Sequence, residues 1–484
     1  MSRRRLIAWT AGAAAVASLL LGCVFYLNPR CDDQIHNGSE TDVDCGGSCG
    51  PCALNRSCDV GADCQSGNCV DGTCRPLPCF NGVRDGAETD VDCGGGTCRK
   101  CAGGRHCKVD ADCFGGTCQP GSGTCSALAV VSFADAVSYG ASFKTYALFY
   151  GDLDGDGHVD LAAANEQDNS ITVLINHGNG TFRNVVPNFG TGAYPTGGTV
   201  ADFNRDGIPD IVTANYHGNS VSVLVGKGDG TFQAAREYPT IAGGATSNLA
   251  VGDLNGDGFP DVIATNPDKA SVSQFMGRAD GTLDPAIDVP VGIHGGSSPF
   301  SAAIGDFNGD GKNDLAIADL TSRTIIVRLG NGDGTFRPEV PYPEGGTPAF
   351  IVIAHDMNLD GKLDLVVANR GSDDVSVLLG RGDGTFLDAI VSPTGVGTGP
   401  YSVAVADFNR DGVPDVATAN FMSSNASVLL GVGDGSFDPP IDAGKMGQFS
   451  YGVVAGDFNG DGKPDLATSN AVSNDVTVKL NTSH

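Results

Sequence analysis

No cysteine follows Cys125 in this chain of 484 residues, although 17 cysteines crowd between Cys23 and that point. The long carboxy-terminal part therefore cannot be held by disulfides and must build its own core. Basic residues are scarce, with 29 Lys and Arg against 57 Asp and Glu, and the net charge of -28 excludes the basic surface that nucleic-acid binding needs. Long amphipathic helical patterns are missing, aromatics make up only 7%, and 71 glycines punctuate the chain, so it reads as all-β, built of strands and turns. Nor is a catalytic constellation legible. There is no Ser/His/Asp set, no zinc spacing among the 8 histidines, and no acidic pair outside the recurrent loops described next, which argues against an enzyme.

What is present is repetition. One acidic phrase returns seven times, with its first aspartate at Asp152, Asp202, Asp253, Asp306, Asp356, Asp407 and Asp457. A regular period of about 50 residues signals repeated supersecondary units. Each unit opens with a short strand ending in the acidic loop (Val453-Val454-Ala455-Gly456-Asp457) and continues into a second strand such as Pro464-Asp465-Leu466-Ala467-Thr468. An alternating third strand follows (Val375-Ser376-Val377-Leu378-Leu379), then the glycine turn Gly380-Arg381-Gly382-Asp383-Gly384-Thr385-Phe386 and a fourth strand. Four antiparallel strands repeated seven times predict a seven-bladed β-propeller over residues 128–484, because a closed ring hides most sheet edges. The last repeat stops before its glycine turn, while Phe133-Ala134-Asp135-Ala136-Val137-Ser138-Tyr139 stands before the first repeat and reads as the missing fourth strand. The amino-terminal end of the domain is thus expected to clasp the last blade.

The loops read Asp-x-Asp/Asn-x-Asp-Gly-x-x-Asp. Oxygen-bearing side chains at alternating positions of a tight loop face inward, and glycine at the sixth place permits the positive φ that wraps the chain around a hard cation. The twelfth position is never the bidentate Glu of an EF-hand, being Ala163, Thr213, Ala264, Ile317, Val367, Thr418 or Thr468.

This loop resembles the FG-GAP repeat of integrin α-chain propellers and the related bacterial VCBS-type repeats, and the resemblance covers the whole repeated region. It implies calcium, up to seven ions, held by side chains at loop positions one, three, five and nine and by the backbone carbonyl of position seven. Carried onto this sequence, the implied ligands of the first loop are Asp152, Asp154, Asp156, His158 and Asp160. Those of the second are Asp202, Asn204, Asp206, Ile208 and Asp210, and of the third Asp253, Asn255, Asp257, Phe259 and Asp261. The fourth loop has Asp306, Asn308, Asp310, Lys312 and Asp314, and the fifth Asp356, Asn358, Asp360, Lys362 and Asp364. The sixth has Asp407, Asn409, Asp411, Val413 and Asp415, and the seventh Asp457, Asn459, Asp461, Lys463 and Asp465. Ligands that saturate the ion leave no open coordination position, so the metal is read as structural and not catalytic.

The first 30 residues carry Arg3, Arg4 and Arg5 before an apolar run from Leu6 to Leu27, the pattern of an export signal. Leu20-Leu21-Gly22-Cys23 resembles a bacterial lipobox, which implies lipid attachment at Cys23 and leaves 16 cysteines, an even number, for disulfides. An uncleaved signal-anchor helix is the alternative, because the run continues apolar through Val24-Phe25-Tyr26-Leu27. Ser2-Arg3-Arg4-Arg5-Leu6-Ile7 also looks like a twin-arginine signal, although an ordinary basic segment explains it. Each reading places the remainder of the chain outside the cytoplasm on a membrane anchor. Residues 31–76 and 77–127 form two cysteine-rich modules, with Cys31, Cys45, Cys49, Cys52, Cys58, Cys64, Cys69 and Cys74 answered by Cys79, Cys93, Cys98, Cys101, Cys107, Cys113, Cys118 and Cys125. Few large apolar residues lie in either, so disulfides are expected to hold them, with zinc at Cys49-x-x-Cys52 and Cys98-x-x-Cys101 as the alternative. They resemble cysteine-rich repeats of bacterial surface lipoproteins and are read as a stalk.

The leading functional expectation is a non-enzymatic adhesion or recognition protein, taking a protein or glycan on the propeller face opposite the calcium loops. The alternatives are a lectin, and a hydrolase or lyase in which the propeller is accessory or catalytic. Expected on the ligand face are Asn215-Tyr216-His217, Phe189, Tyr194, Phe421-Met422 and His294. A further pattern stands six residues before each first aspartate: Tyr146, Thr196, Ser247, Phe300, Phe350, Tyr401 and Tyr451. These residues could rim the channel mouth, but packing between blades is the preferred role.

Overall fold

The computed structural model describes residues 131–292 and 296–483, together with short stretches at 57, 69–70, 73–74, 106–113 and 118–125. The amino-terminal segment, most of the cysteine-rich modules and His294 lie outside the described residues. The chain divides into two compact units, Met1–Cys98 and Arg99–His484, so the dividing point falls inside the second cysteine-rich module.

Within the second unit, seven sheets of four antiparallel strands form the blades of a propeller. The second blade illustrates the order: Pro195–Ala201, Asp210–Asn215, Ser220–Leu224 and Arg236–Pro239, each paired with the next. The middle strands carry no alternation of exposure. All six residues of Asp210–Asn215 are buried, because a blade is covered on both faces by its neighbours and small or β-branched side chains fill the gap. Outer strands such as Arg236–Pro239 are exposed and polar. The cores therefore lie between blades, as where Phe149, Ala162 and Ile171 of the first blade pack with Ile211 and Leu224 of the second.

In six blades the fourth strand begins later than the sequence pattern implies, whereas in the first it starts at Phe182, directly at the end of the glycine turn. Phe232, which ends the second blade's glycine turn, makes only an isolated bridge to Gly226, and the strand proper starts at Arg236. Phe232 is 4% exposed and its counterpart Phe182 in the first blade 7%, so the ring is buried whether or not the strand starts there.

The expected clasp is present. Val137–Gly140 pairs with Asp475–Lys479 as the fourth strand of the last blade, Val137 opposite Val478 and Gly140 opposite Asp475. Phe133 bridges Asn481, as Phe232 bridges Gly226 within the second blade. Leu161 and Leu174 of the first blade share a core with Val454, Phe458 and Val476 of the last, so the seam is packed like the other junctions.

In the second cysteine-rich module, Cys107 pairs with Cys118 and Cys113 with Cys125. Among the described residues no helix is long and apolar enough to cross a membrane.

Candidate functional site

Each acidic loop joins the first and second strands of its blade, and one hydrogen-bond pattern shapes all seven. The position-six glycine adopts a left-handed φ, from 78° at Gly462 to 87° at Gly157. Its N–H donates to the position-one carboxylate, at 2.9 Å from Gly157 to Asp152 and 2.8 Å from Gly462 to Asp457. The N–H of position seven donates to the position-five carboxylate, as from His158 to Asp156 at 2.9 Å and from Ile208 to Asp206 at 2.8 Å. Position four is also left-handed, which sequence reasoning missed because Arg205, Leu359 and Arg410 occupy it alongside glycines. In the first loop, one carboxylate oxygen from each of Asp152, Asp154 and Asp156 lies within 4.8 Å of the others. Burial, followed by the charges of Asp156 and Asp152, raises the Asp154 carboxyl above its ordinary range. The donor set is all oxygen, and its carboxylates disfavour one another, which fits a hard divalent cation. Where position three is Asn, its oxygen faces the same way, accepting from the Asp206 N–H at 2.9 Å in the second loop.

Position nine anchors the backbone. Both oxygens of Asp160 accept backbone hydrogen bonds, Oδ2 from Leu153 at 2.8 Å and Oδ1 from Asn176 at 2.8 Å. Asp465 repeats this with Phe458 at 2.9 Å and Asn481 at 2.7 Å. These aspartates are fully buried and tie the loop to the turn after the third strand. Burial pushes the carboxyl up to about 6 in Asp160, about 7 in Asp364 and Asp465, and about 8 in Asp415, against the lowering effect of those N–H donors. The loops also bond between blades. The glycine turn of the first blade donates from Gly180 to the Phe458 carbonyl of the seventh loop at 2.8 Å, and Gly230 donates to Leu153 at 3.0 Å. Loops and glycine turns therefore share one face, as expected.

On the opposite face, the recurrent aromatics converge on the axis. Tyr146 stacks on Tyr451 at 4.0 Å, Tyr401 meets Tyr451 at 4.7 Å and Phe350 at 4.8 Å, and Phe350 meets Phe300 at 5.0 Å. The hydroxyls of Tyr146 and Tyr401 are hydrogen-bonded, and burial raises both phenols above their ordinary range. Thr196 and Ser247, in the other two blades, line a cavity of about 210 Å³ along the inner strands. The rings pack against one another across the axis.

Of the other residues expected on this face, Tyr194 and Tyr216 flank His217 at 4.2 and 5.1 Å. Phe189 instead packs on Phe232 at 5.3 Å. Met422 is 62% exposed, while Phe421 lies 4.9 Å from Tyr451 and 4.7 Å from Phe449.

Six overlapping stretches, residues 152–213, 202–264, 253–317, 306–367, 356–418 and 414–468, match the model of the FG-GAP-like repeat. The chain belongs to the FG-GAP-like repeat family. The first five matched stretches run from the first aspartate of one loop into the second strand of the next blade, so the family's unit straddles a blade junction. No curated protein matches the chain by sequence. Among solved structures, an Agrocybe aegerita lectin that recognises non-reducing terminal N-acetylglucosamine is 20% identical, with a TM-score of 0.49 over 71% of this chain and 100% of the lectin. Virginiamycin B lyase from Staphylococcus aureus is 9% identical, with a TM-score of 0.51 over 72% of this chain and 99% of the lyase. BBS1N, solved in complex with ARL6DN, is 12% identical, with a TM-score of 0.50 over 73% and 97%. At such identities the lyase and BBS1N share the fold with this chain and nothing more specific.

In this FG-GAP-like propeller, sequence reasoning missed a buried polar ring. Asn215, expected on the ligand face, is instead fully buried at the end of a second strand and donates to Ser220 at 3.0 Å and Ser222 at 2.8 Å, and Asn420 donates to Asn425 at 2.9 Å and Ser427 at 2.8 Å. The signal was available, since Asn recurs there at Asn165, Asn215, Asn266, Asn369, Asn420 and Asn470. Also missed was Arg370, whose guanidinium lies 4.4 Å over the Phe421 ring.

Proposed function

We propose that this protein is a calcium-binding recognition or adhesion protein, held at a membrane by its amino-terminal segment through lipidated Cys23 or an apolar helix. The ligand, a protein or glycan, would be taken on the propeller face opposite the loops. A propeller of FG-GAP-like repeats fits a recognition or adhesion role, and the disulfides of the second module fit an extracellular or periplasmic compartment.

The observation that carries the calcium reading is the repeated all-oxygen loop, in which buried position-nine carboxyls are pushed well above their ordinary range by desolvation. Asp and backbone oxygens of each loop, with an Asn oxygen in all but the first, would hold the ion, which would supply the positive charge that these carboxylates lack. At a calcium level about 100-fold above Kd, each occupied site would add about 2.7 kcal/mol to stability. The ion would rigidify the loop face and leave the other face free for a partner.

Two linked measurements test this. Equilibrium dialysis of the intact chain is expected to show uptake of up to seven calcium ions, and capture of cell-surface partners is expected to fall when calcium is chelated. No divalent uptake would overturn the metal reading, and calcium-replete protein that captures nothing would overturn the recognition reading.

A further inference from the structure

We infer that a notch over the last blade is the docking site for a peptide segment carrying a large apolar side chain beside a carboxylate. This rests on the recognition reading above and gives it a place and a ligand chemistry.

The notch arises from one small residue. Directly after the second strand, the seven blades carry Glu166, Tyr216, Pro267, Leu320, Arg370, Phe421 and Ala471. Ala471 is the smallest, and a cavity of about 410 Å³ opens beside it between Phe421, Phe449, Tyr451 and Phe143. That volume lies in the range of small-ligand pockets. Its edge is apolar and open to solvent, with Phe143 62% exposed, Val472 52% and Phe449 38%, and Met422 is 62% exposed at the turn of the preceding blade. Clustered exposed apolar residues mark an interaction surface.

The polar groups of the notch favour an apolar side chain over a sugar. Asn474 Oδ1 already accepts from the Lys144 backbone N–H at 2.7 Å, and Lys144 Nζ pairs with Glu166 at 2.6 Å. Phe143, Phe421, Phe449, Ala471 and Val472, five of the nine lining residues, offer no side-chain partner to the hydroxyls of a pyranose, whose burial unpaired is costly.

Charge supplies the second part. Arg370 sits over Phe421 at 4.4 Å, Phe350 at 5.4 Å and Tyr401 at 5.8 Å. Among the described residues no carboxylate pairs with it, in a chain of net charge -28. A guanidinium held over aromatic rings by cation–π attraction still has N–H donors for a carboxylate. Phe421 is both a wall of the notch and the ring beneath Arg370, so a short peptide can fill one and reach the other.

The test uses the full-length, calcium-loaded chain on an array of immobilised eight-residue peptides, presenting Leu, Phe or Trp with and without a neighbouring Asp or Glu. A glycan array is run in parallel. Peptides combining the apolar and acidic residues are expected to bind, and Ala471→Trp, which fills the notch, is expected to abolish capture. Arg370→Gln is expected to weaken acidic peptides by about tenfold or more while leaving neutral ones unchanged. Phe449→Ser and Phe143→Ser, at exposed positions, should weaken both classes, and unchanged calcium uptake and unfolding midpoint confirm intact variants. Capture that survives Ala471→Trp overturns the site. Glycan capture sensitive to Ala471→Trp overturns the ligand class. Failure of every peptide while cell-surface capture persists overturns this inference alone, and failure of both overturns the recognition reading with it.

Discussion

The Lys144 backbone N–H donates to Asn474 Oδ1 at 2.7 Å, across the junction where the first blade meets the last. Tyr194 donates in the same way to Asn169 at 2.8 Å, and Gly399 to Asp373 at 2.7 Å. The closing seam is thus latched like an internal junction, although its partners are 330 residues apart. Asn474 holds a left-handed φ of 57°, which glycine tolerates. Asn474→Gly is therefore expected to keep the backbone, lose the latch and cost about 1–2 kcal/mol in denaturant unfolding. Asn474→Asp, which retains the acceptor, should stay close to wild type.

Gly380 opens a glycine turn so close to the acidic loop that an added Cβ would lie 2.2 Å from the Leu363 carbonyl oxygen. Backbone cannot yield there as a flexible side chain could, so Gly380→Ala is expected to cost about 2–3 kcal/mol in thermal unfolding. Gly190→Ala is the control, because nothing lies within 4 Å of its added Cβ. Its effect should stay within about 0.5 kcal/mol.

Glu344 lies between the fourth and fifth blades, 1% exposed, with Oε2 accepting from the Ala349 N–H at 3.1 Å and Oε1 without a hydrogen-bond partner. Burial pushes its carboxyl from 4.5 up to about 7, with Asp319 and Asp374 adding to the rise, and Ala349 and Arg323 opposing it. A raised carboxyl favours the neutral form in the folded state. Its stabilising contribution is full below about pH 4.5, falls as pH rises through about 7, and is gone above that. Glu344→Gln is expected to remove this dependence, with a gain at pH 8 of at most about 3 kcal/mol. The difference between variant and wild type across pH 4 to 8, read from denaturant midpoints at fixed calcium, checks it; a flat difference would contradict the assignment.

The pairs Cys107–Cys118 and Cys113–Cys125 join the fifth cysteine of the second module to the seventh and the sixth to the eighth. The first module repeats the order with Cys58, Cys64, Cys69 and Cys74. Non-reducing peptide mapping is expected to recover Cys58–Cys69 and Cys64–Cys74. Any other linkage there would show that the duplicated sequence does not duplicate its pairing.

The propeller was legible because its evidence is local and repeated. The acidic loops recur with one spacing, and Val137, Ser138 and Tyr139 could be recognised as the missing strand by simple counting. The gap between Phe232 and the strand starting at Arg236 has no trace in the local pattern, since the same turn in the first blade leads into its strand at Phe182 without one. Position nine was read as a ligand from its residue type, and its two backbone hydrogen bonds emerged only when strand and turn were brought together. Arg370 looked like any surface residue, because the rings beneath it, Phe350, Tyr401 and Phe421, come from two different blades.

Blade number, loop chemistry and the route of closure were determined by the sequence alone, since hydrogen bonding and turn geometry over nine residues or one blade depend only on near neighbours. The notch at Ala471 was decided by tertiary structure. Its walls come from the sixth, seventh and first blades, and a small side chain becomes a cavity only when ring closure sets Phe143, Phe421 and Phe449 around it.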